Sequence, residues 1–511
     1  MDLAYLIRRA ARHFPASVAV EDRHGARTLG EVVDRGERLA NALDELGIAE
    51  GAAVGVLSEN RAEYPEVDIA LALGRRVRVA LNARLAREDF RYALADVSAA
   101  ALIHSKAFEQ DAEALARELG LVSICLDSDG ESANSYADLI ASASATPRLR
   151  RSDEEGPAWT SYTSGTTGRP KGVVLSHRAV REVAFNLLLE LGPKQGGKRI
   201  VLTQPLSHGA GYFVLPYLLA GSGVYVMDRY DAEEVFALSR RPEIGTLKVV
   251  PAMFPPLFAA HDAAGQPLGF DEIVYGASPI SGPVLEQAQE RFGSIFTQIY
   301  GQSEAPVTLT CLHPADHARG GAHLASAGRP WRTVAIEVRG QDGMPLPVGE
   351  VGEVTIRGSH MMTGYHELPE ATSEAMRDGW LWTKDMGRLD EHGYVYLLGR
   401  RDELINTGGF NVSPREVERV IQDHPEVQEC AVIGTPDERW GTAINAVVSL
   451  RNGAQSSVQE LIEFARPRLT FRSPKLLVIA EEIPKTPYGK VDRERLRAIL
   501  DSARTLTDAE G

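Results

Sequence analysis

Through the first 300 residues, short apolar runs alternate with stretches whose apolar positions recur at helical spacing. AAVGVLSE (52–59), ALIHS (101–105) and SICLD (123–127) read as strands, because short continuous apolar runs suit strands buried on both faces. A helical stretch follows the first through Ala70 and Leu71, and another separates the second and third. This alternation predicts α/β layers around parallel sheets. Residues 334–358 (VAIEVRGQDGMPLPVGEVGEVTIRG) change character. Short strands between Gly and Pro turns predict a small β-barrel or antiparallel sheet. Near residue 400 the texture changes again. Ser413-Pro414-Arg415-Glu416 predicts a capping box with proline first in the helix. Strands ECAVIG (429–434) and INAVVSL (444–450) follow, then a helix around 458–465.

The ends of the hydropathy range exclude two classes. The opening MDLAYLIRRAARHFP is an amphipathic helix without a long apolar core, so it is not read as a signal peptide. The most membrane-like stretch, 212–227, is broken by Pro216, Gly221 and Gly223 and is too short to span a bilayer. The chain has 511 residues, 44% hydrophobic and 24% charged, enough for several cores. Its net charge of −15 and lack of a basic stripe argue against nucleic acid. Cys125, Cys311 and Cys430 are far apart with no C-x-x-C, which fits a reducing cytoplasm and no structural zinc cluster.

The most informative segment is TSYTSGTTGRPKG, residues 160–172. The hydroxyls of Thr163, Ser164, Thr166 and Thr167 can donate to phosphate oxygens. Gly165 and Gly168 allow close backbone approach and an anion nest, and Lys171 adds charge. Such a loop suits a polyphosphate. It is not a G-x-x-x-x-G-K-[ST] loop, because the glycines are too close and Pro170 precedes the lysine. KGVVLS then reads as a strand. Helical spacing resumes after Ser176 with Val180, Val183, Ala184, Leu187 and Leu188.

This string resembles the phosphate loop of the adenylate-forming superfamily, which includes acyl- and aryl-CoA ligases, luciferases and nonribosomal adenylation domains. Further segments appear in the family's order. In YGQSE (300–304), the resemblance implies that Tyr300 stacks on adenine, that Gly301, Gln302 and Ser303 line the nucleotide, and that Glu304 ligates Mg²⁺ with Thr163. YGASP (275–279) resembles the adenine-side turn, with Gly276, Ala277 and Ser278 beside the nucleotide. PLSHGAG (205–211) resembles the acyl-pocket segment. It implies His208 between acid and thiol, and Gly209, Ala210 and Gly211 as space for a bulky acid, with Val250 and Met253 nearby. In WTKDMG (382–387), Asp385 corresponds to the ribose ligand, and Lys384 stands where the family commonly has glycine. GRRDELINTGGFNVSP (399–414) implies Arg400 on ribose or phosphate, Asp402 at a hinge, and Gly408, Gly409 and Phe410 along a thiol path. PKTPYGKVDR (484–493) carries Lys490, resembling the catalytic lysine that bridges the attacking carboxylate and the α-phosphate.

The expected architecture is α/β. Residues 1–399 form a large N-terminal domain of layered α/β sheets plus a small β-barrel, and residues 400–511 form a mobile smaller α+β C-terminal lid hinged near Asp402. The expected activity is that of an acid–CoA ligase using ATP, Mg²⁺ and CoA. It activates an apolar carboxylic acid as an acyl adenylate and passes the acyl group to CoA, releasing pyrophosphate and AMP. Two alternatives stay open: thioesterification alone from a supplied acyl adenylate, or loading of a separate carrier protein. No carboxylate near 205–214 waits for an α-amine, which argues against an amino acid substrate. A light-emitting oxygenase could share every motif. Oligomeric state is left open, homodimer included, as is the acid: fatty, aryl, alicyclic or terpenoid.

Overall fold

The computed structural model describes residues 2–127, 134–150, 153–163, 169–192, 197–408, 410–437, 440–486 and 491–510, the side chains of 411 and 505–510 excepted. The chain divides into two units. The first comprises Met1–Pro279, Arg291–Ala335 and Ile356–Leu381, and the second Ile280–Glu290, Ile336–Thr355 and Trp382–Gly511.

The first unit is built on two large sheets. One has seven strands in the order Gly364–Tyr365, Lys171–Ser176, Pro157–Thr163, Val77–Ala80, Ala53–Leu57, Ala101–His104, Val122–Cys125. Its inner strands pair in parallel, with Val54 opposite both Arg78 and Ala101. All five residues of Ala53–Leu57 are buried, as a two-sided parallel strand requires. The three strands expected here from the apolar runs are all present. The other sheet has nine strands and runs from Arg329–Pro330 through Ala305–Leu312, Phe296–Gln302, Glu272–Gly276 and Ile244–Val249 to the N-terminal hairpin Val18–Asp22/Gly25–Thr28. The opening helix, Leu3–His13, is capped by Asp2, whose carboxylate accepts from Tyr5 N at 2.9 Å. It buries Leu3, Ala4, Leu6, Ile7 and Ala10, the face its spacing predicts.

Most residues of Ala335–Arg339, Gly352–Arg357, Trp380–Leu389 and Val395–Arg400 lie in the second unit, and these strands belong to one five-stranded sheet, where short strands between Gly/Pro turns were expected. Further along lie the hairpin Ile405–Thr407/Phe410–Val412 and a sheet of Val427–Asp437, Gly441–Leu450 and Leu476–Ala480. Helices Pro414–Gln422 and Val458–Leu469 cover that sheet through Val417, Ile421, Leu461, Ala465 and Leu469. The expected capping box at Ser413 is half realised. Ser413 Oγ accepts from Glu416 N at 3.3 Å, but the Glu416 carboxylate pairs with Arg472 instead of returning to the cap. A guanidinium supplies a stronger, charge-assisted partner than a backbone N–H. Among the described residues no helix is long and apolar enough to cross a membrane.

Candidate active site

The phosphate-loop stems are two antiparallel strands. Pro157–Thr163 and Lys171–Ser176 pair with Thr163 opposite Lys171, so the Ser/Thr/Gly segment connects two ladder-fixed ends rather than opening a helix. Ser164, Gly165, Thr166, Thr167 and Gly168 themselves lie outside the described residues, as do Gly409 and Lys490. Thr163 Oγ1 lies 3.5 Å from Lys171 O. Helix His177–Glu190 follows at once, capped by Ser176 Oγ accepting from Ala179 N at 3.1 Å.

Lys171 and Glu304 come together through a residue the motifs did not single out. Tyr365 OH donates to Glu304 Oε1 at 2.8 Å, and Lys171 Nζ stands 4.9 Å from the centre of the Tyr365 ring. Tyr365 is held by pairing of Gly364–Tyr365 with Val174 and Val173 on the loop's own exit strand. Glu304 sits in the turn between Phe296–Gln302 and Ala305–Leu312, and its carbonyl accepts from Met362 N at 2.8 Å. The anion, the cation and the aromatic ring therefore form one cluster at the strand Lys171–Ser176, with a hydroxyl donor preset on the carboxylate.

The turn before Glu304 is tight. Tyr300 pairs with Thr310, Gln302 pairs with Ala305, and the register shifts between them. A Cβ on Gly301 would fall 2.3 Å from Val307 N, so no other residue fits there. Val307 itself adopts φ +47°, an outlier for a β-branched residue. Gly276 is similarly locked, since its Cβ would meet Ile299 O at 2.3 Å. Ala277 follows at φ +70°, and it and Ser278 are exposed.

The predicted acyl segment reaches this turn. A Cβ on Gly209 would meet Val307 Cγ1 at 3.6 Å, whereas one on Gly211 would strike Leu206 O at 2.2 Å. Smallness at Gly211 thus serves the turn, and Ala210 is buried within it. His208 is exposed, its Nδ1 2.8 Å from Ser207 Oγ. Met253 lies against the residues before the turn, with Thr203 Oγ1 3.3 Å from its sulfur, and Val250 precedes its helical turn Pro251–Met253.

Two buried side chains missed by motif reading clamp the segment. Asn60 Oδ1 accepts from Leu206 N at 2.8 Å, while its Nδ2 donates to Gln204 O and Met227 O. Arg78 donates to Leu206 O at 2.9 Å and to Asp68 Oδ1 at 2.6 Å, with its guanidinium 4.3 Å over the Trp159 ring. The available signal was a charged residue inside the otherwise apolar run VRVA and an Asn directly after the apolar run AAVGVLSE.

In the second unit, Asp385 is buried opposite Arg400, whose Nε lies 3.8 Å from Asp385 Oδ1. Asp385 N donates to Thr383 Oγ1 at 3.1 Å. Lys384 adopts φ +62°, and its N–H donates to Glu353 Oε1 at 2.8 Å, with Arg401 on the other Glu353 oxygen. The left-handed backbone explains glycine as the common residue here. Asp402 occupies the turn Arg401–Glu403. Gly408 takes φ +57° and donates its N–H to Trp440 O at 3.0 Å. Phe410 is exposed, its ring 5.1 Å from that of Phe471.

The family model described as "AMP-binding enzyme" matches residues 7–366, and "AMP-binding enzyme C-terminal domain" matches residues 416–490. A medium/long-chain-fatty-acid–CoA ligase of Mycobacterium tuberculosis is 33% identical over 499 residues, covering 92% of this chain and 85% of the relative. A fatty acid–[acyl-carrier-protein] ligase of Streptomyces coeruleorubidus is 34% identical over 505 residues, covering 97% and 96%. The crystal structure of ATP-bound MatB from Rhodopseudomonas palustris superposes with a TM-score of 0.88 at 27% identity, covering 98% of this chain and 99% of that one. The chain belongs to the AMP-binding, adenylate-forming enzyme family, as an AMP-forming acid–CoA ligase that uses ATP and CoA.

Proposed function

We propose that the acid taken by this ligase has an apolar body, and that both half-reactions proceed on this chain. A carboxylate oxygen attacks the α-phosphorus of ATP, and pyrophosphate leaves with the bond electrons. The thiol sulfur of CoA then attacks the acyl carbon, AMP leaves, and the thiol proton passes to solvent. The supporting observation is the meeting at Val307 of the turn that leads to Glu304 and the turn that begins at Gly209. The first carries the nucleotide-side residues and the second the acid-side residues.

On this reading Thr163, Ser164, Gly165, Thr166, Thr167, Gly168 and Lys171 hold the pyrophosphate end of ATP. Tyr300, Gly301, Gln302, Ser303, Gly276, Ala277 and Ser278 hold the base, and Asp385 and Arg400 hold the ribose. Glu304 and Thr163 offer only oxygen donors, and one Glu304 oxygen is already fixed by Tyr365. That set fits Mg²⁺, which prefers few protein oxygens and several waters. When bound, the ion would neutralise charge on the polyphosphate. His208, Gly209, Ala210, Val250 and Met253 border the acid. Lys490 serves adenylation, and Gly408, Gly409 and Phe410 serve thiol entry after a turn at Asp402. Three buried free cysteines fit a cytoplasmic location.

Lys490→Ala tests the division of labour. Acid-dependent ATP–pyrophosphate exchange should fall by a factor of at least about 10², while CoA transfer from a supplied acyl adenylate stays within a few-fold. Equal loss in both assays would reject the assignment.

A further inference from the structure

Lys248 is a buried cation the reaction above does not use. It lies on the strand Ile244–Val249 between Leu247 and Val249, both fully buried, and is itself only 3% exposed. Among the described residues it has no carboxylate partner. Its ammonium donates to Val249 O at 3.1 Å and stands 5.9 Å from the Phe213 ring. A lysine has three donors, so two are left without an acceptor among the described residues, in an interior where each unmet donor is costly. Burial pushes the ammonium down to about 7. A core position gains nothing from such a side chain that Met or Leu would not supply at lower cost.

Its surroundings connect it to the acid. Phe213 closes the turn Gly209–Phe213 that starts at the proposed acyl segment. Lys248 O accepts from Thr203 Oγ1 at 2.6 Å and from Gln204 Nε2 at 3.0 Å, the residues that lead into PLSHG and lie against the Met253 sulfur. Two residues further along its own chain is Val250. The lysine is thus placed between the two segments assigned to the acyl pocket.

We propose that Lys248 is a specificity-determining residue of that pocket, whose ammonium takes a second carboxylate carried on the apolar body of the acid. This rests on the acid–CoA ligase reading. A bound oxyanion gives the buried cation its missing counter-charge and accepts its free donors. A purely apolar acid leaves both unmet, and a site built to hydrogen-bond a substrate group discriminates strongly against analogues that lack it.

The test is acid-dependent ATP–pyrophosphate exchange on the full-length chain with matched pairs: octanedioate against octanoate, and 4-carboxyphenylacetate against phenylacetate. In the wild type kcat/KM should favour the dicarboxylate of at least one pair by about tenfold or more. Lys248→Met should erase or invert that ratio, and Lys248→Arg should retain part of it. Because each ratio is taken within one protein, a general loss of folded enzyme does not move it. If Lys248→Met does not fold, Lys248→Gln is read in the same way. A ratio within twofold of the wild type in the Met or Gln variant overturns the proposal and leaves the lysine a structural donor to Val249 O. Exchange with monocarboxylates alone also overturns it while leaving the ligase reading intact. No exchange with any acid removes that reading and this one together.

Discussion

Replacing Lys384 with glycine should stabilise the fold slightly and leave both half-reactions unchanged. Lys384 sits at φ +62°, where an L-residue is disfavoured by roughly 1–2 kcal/mol. Glycine escapes that penalty but loses about 0.5–1 kcal/mol more in chain entropy on folding than alanine does. The side chain offsets little, because it is half-buried and makes no ion pair among the described residues. The net is a gain of roughly 0–1 kcal/mol. The contact that matters is the backbone N–H to Glu353 Oε1 at 2.8 Å, which needs no side chain. Lys384→Val should lose at least about 1 kcal/mol relative to wild type, since a β-branched residue tolerates positive φ worst. Urea midpoints measured on wild type and on the Lys384→Gly, Lys384→Ala and Lys384→Val variants should rank Gly at or above wild type, Ala near wild type, and Val below. Two results would refute this reasoning. One is a valine variant as stable as the glycine one. The other is a glycine variant in which either half-reaction moves by more than about twofold, ~0.4 kcal/mol. The second would give the ammonium a role beside Asp385.

Tyr365→Phe keeps the ring near Lys171 but removes the donor on Glu304, a bond to a charged acceptor worth about 1.5–3 kcal/mol. Pyrophosphate exchange should fall about tenfold or more, and an unchanged rate would mean that this hydroxyl does not help position Glu304. His360 is buried, and neither ring nitrogen has a partner among the described residues. Burial lowers its pKa to about 4 from the usual 6.5, so the unfolded chain takes up the proton first as pH falls. The stability linked to this group is complete above about pH 6.5 and is lost towards pH 4, by up to about 3 kcal/mol. His360→Leu should flatten that part of a plot of urea midpoint against pH, and an unaltered slope would place the acid sensitivity elsewhere.

Local features were legible in the sequence and long-range ones were not. Apolar runs marked the buried strands, and the helix that resumes after Ser176 was readable because capping acts within three residues. The strand after the phosphate loop was readable from KGVVLS because a short apolar run is also a local signal. Tyr365 was missed as a partner of Glu304 because 61 residues separate them and their contact depends on sheet order. Arg78 interrupts an otherwise apolar run, yet it is buried against Asp68, Trp159 and Leu206 O, contributions from three separate segments. Lys384 could be flagged as unusual by residue type, but its positive φ, with the backbone N–H held by the distant Glu353, has no sequence signature.

Three strained backbone positions of this protein lie in segments assigned to ligands. Eight non-glycine residues have positive φ among the described residues, and Ala277, Val307 and Lys384 are three of them. Val307 is the most demanding, since its branched Cβ crowds the backbone in that region. The cause is visible in its neighbour. The chain at Gly301 approaches so closely that even a Cβ there would overlap Val307 N, Cα and C. A regular hairpin could not bring the two strands this near, and the register shift between Tyr300 and Gln302 is where the ladder breaks to allow it. The gain is positional. The same compressed turn sets Glu304 against Tyr365 at one end and presents Val307 Cγ1 to Gly209 at the other. A strained backbone persists only when its surroundings over-determine it. Here they do so through Met362 N on Glu304 O and through the buried strand Ala305–Leu312 that follows. The strain and the geometry therefore have one origin: Glu304, the proposed metal-side carboxylate, and the proposed acid-side turn at Gly209 are both positioned by a few residues of one hairpin.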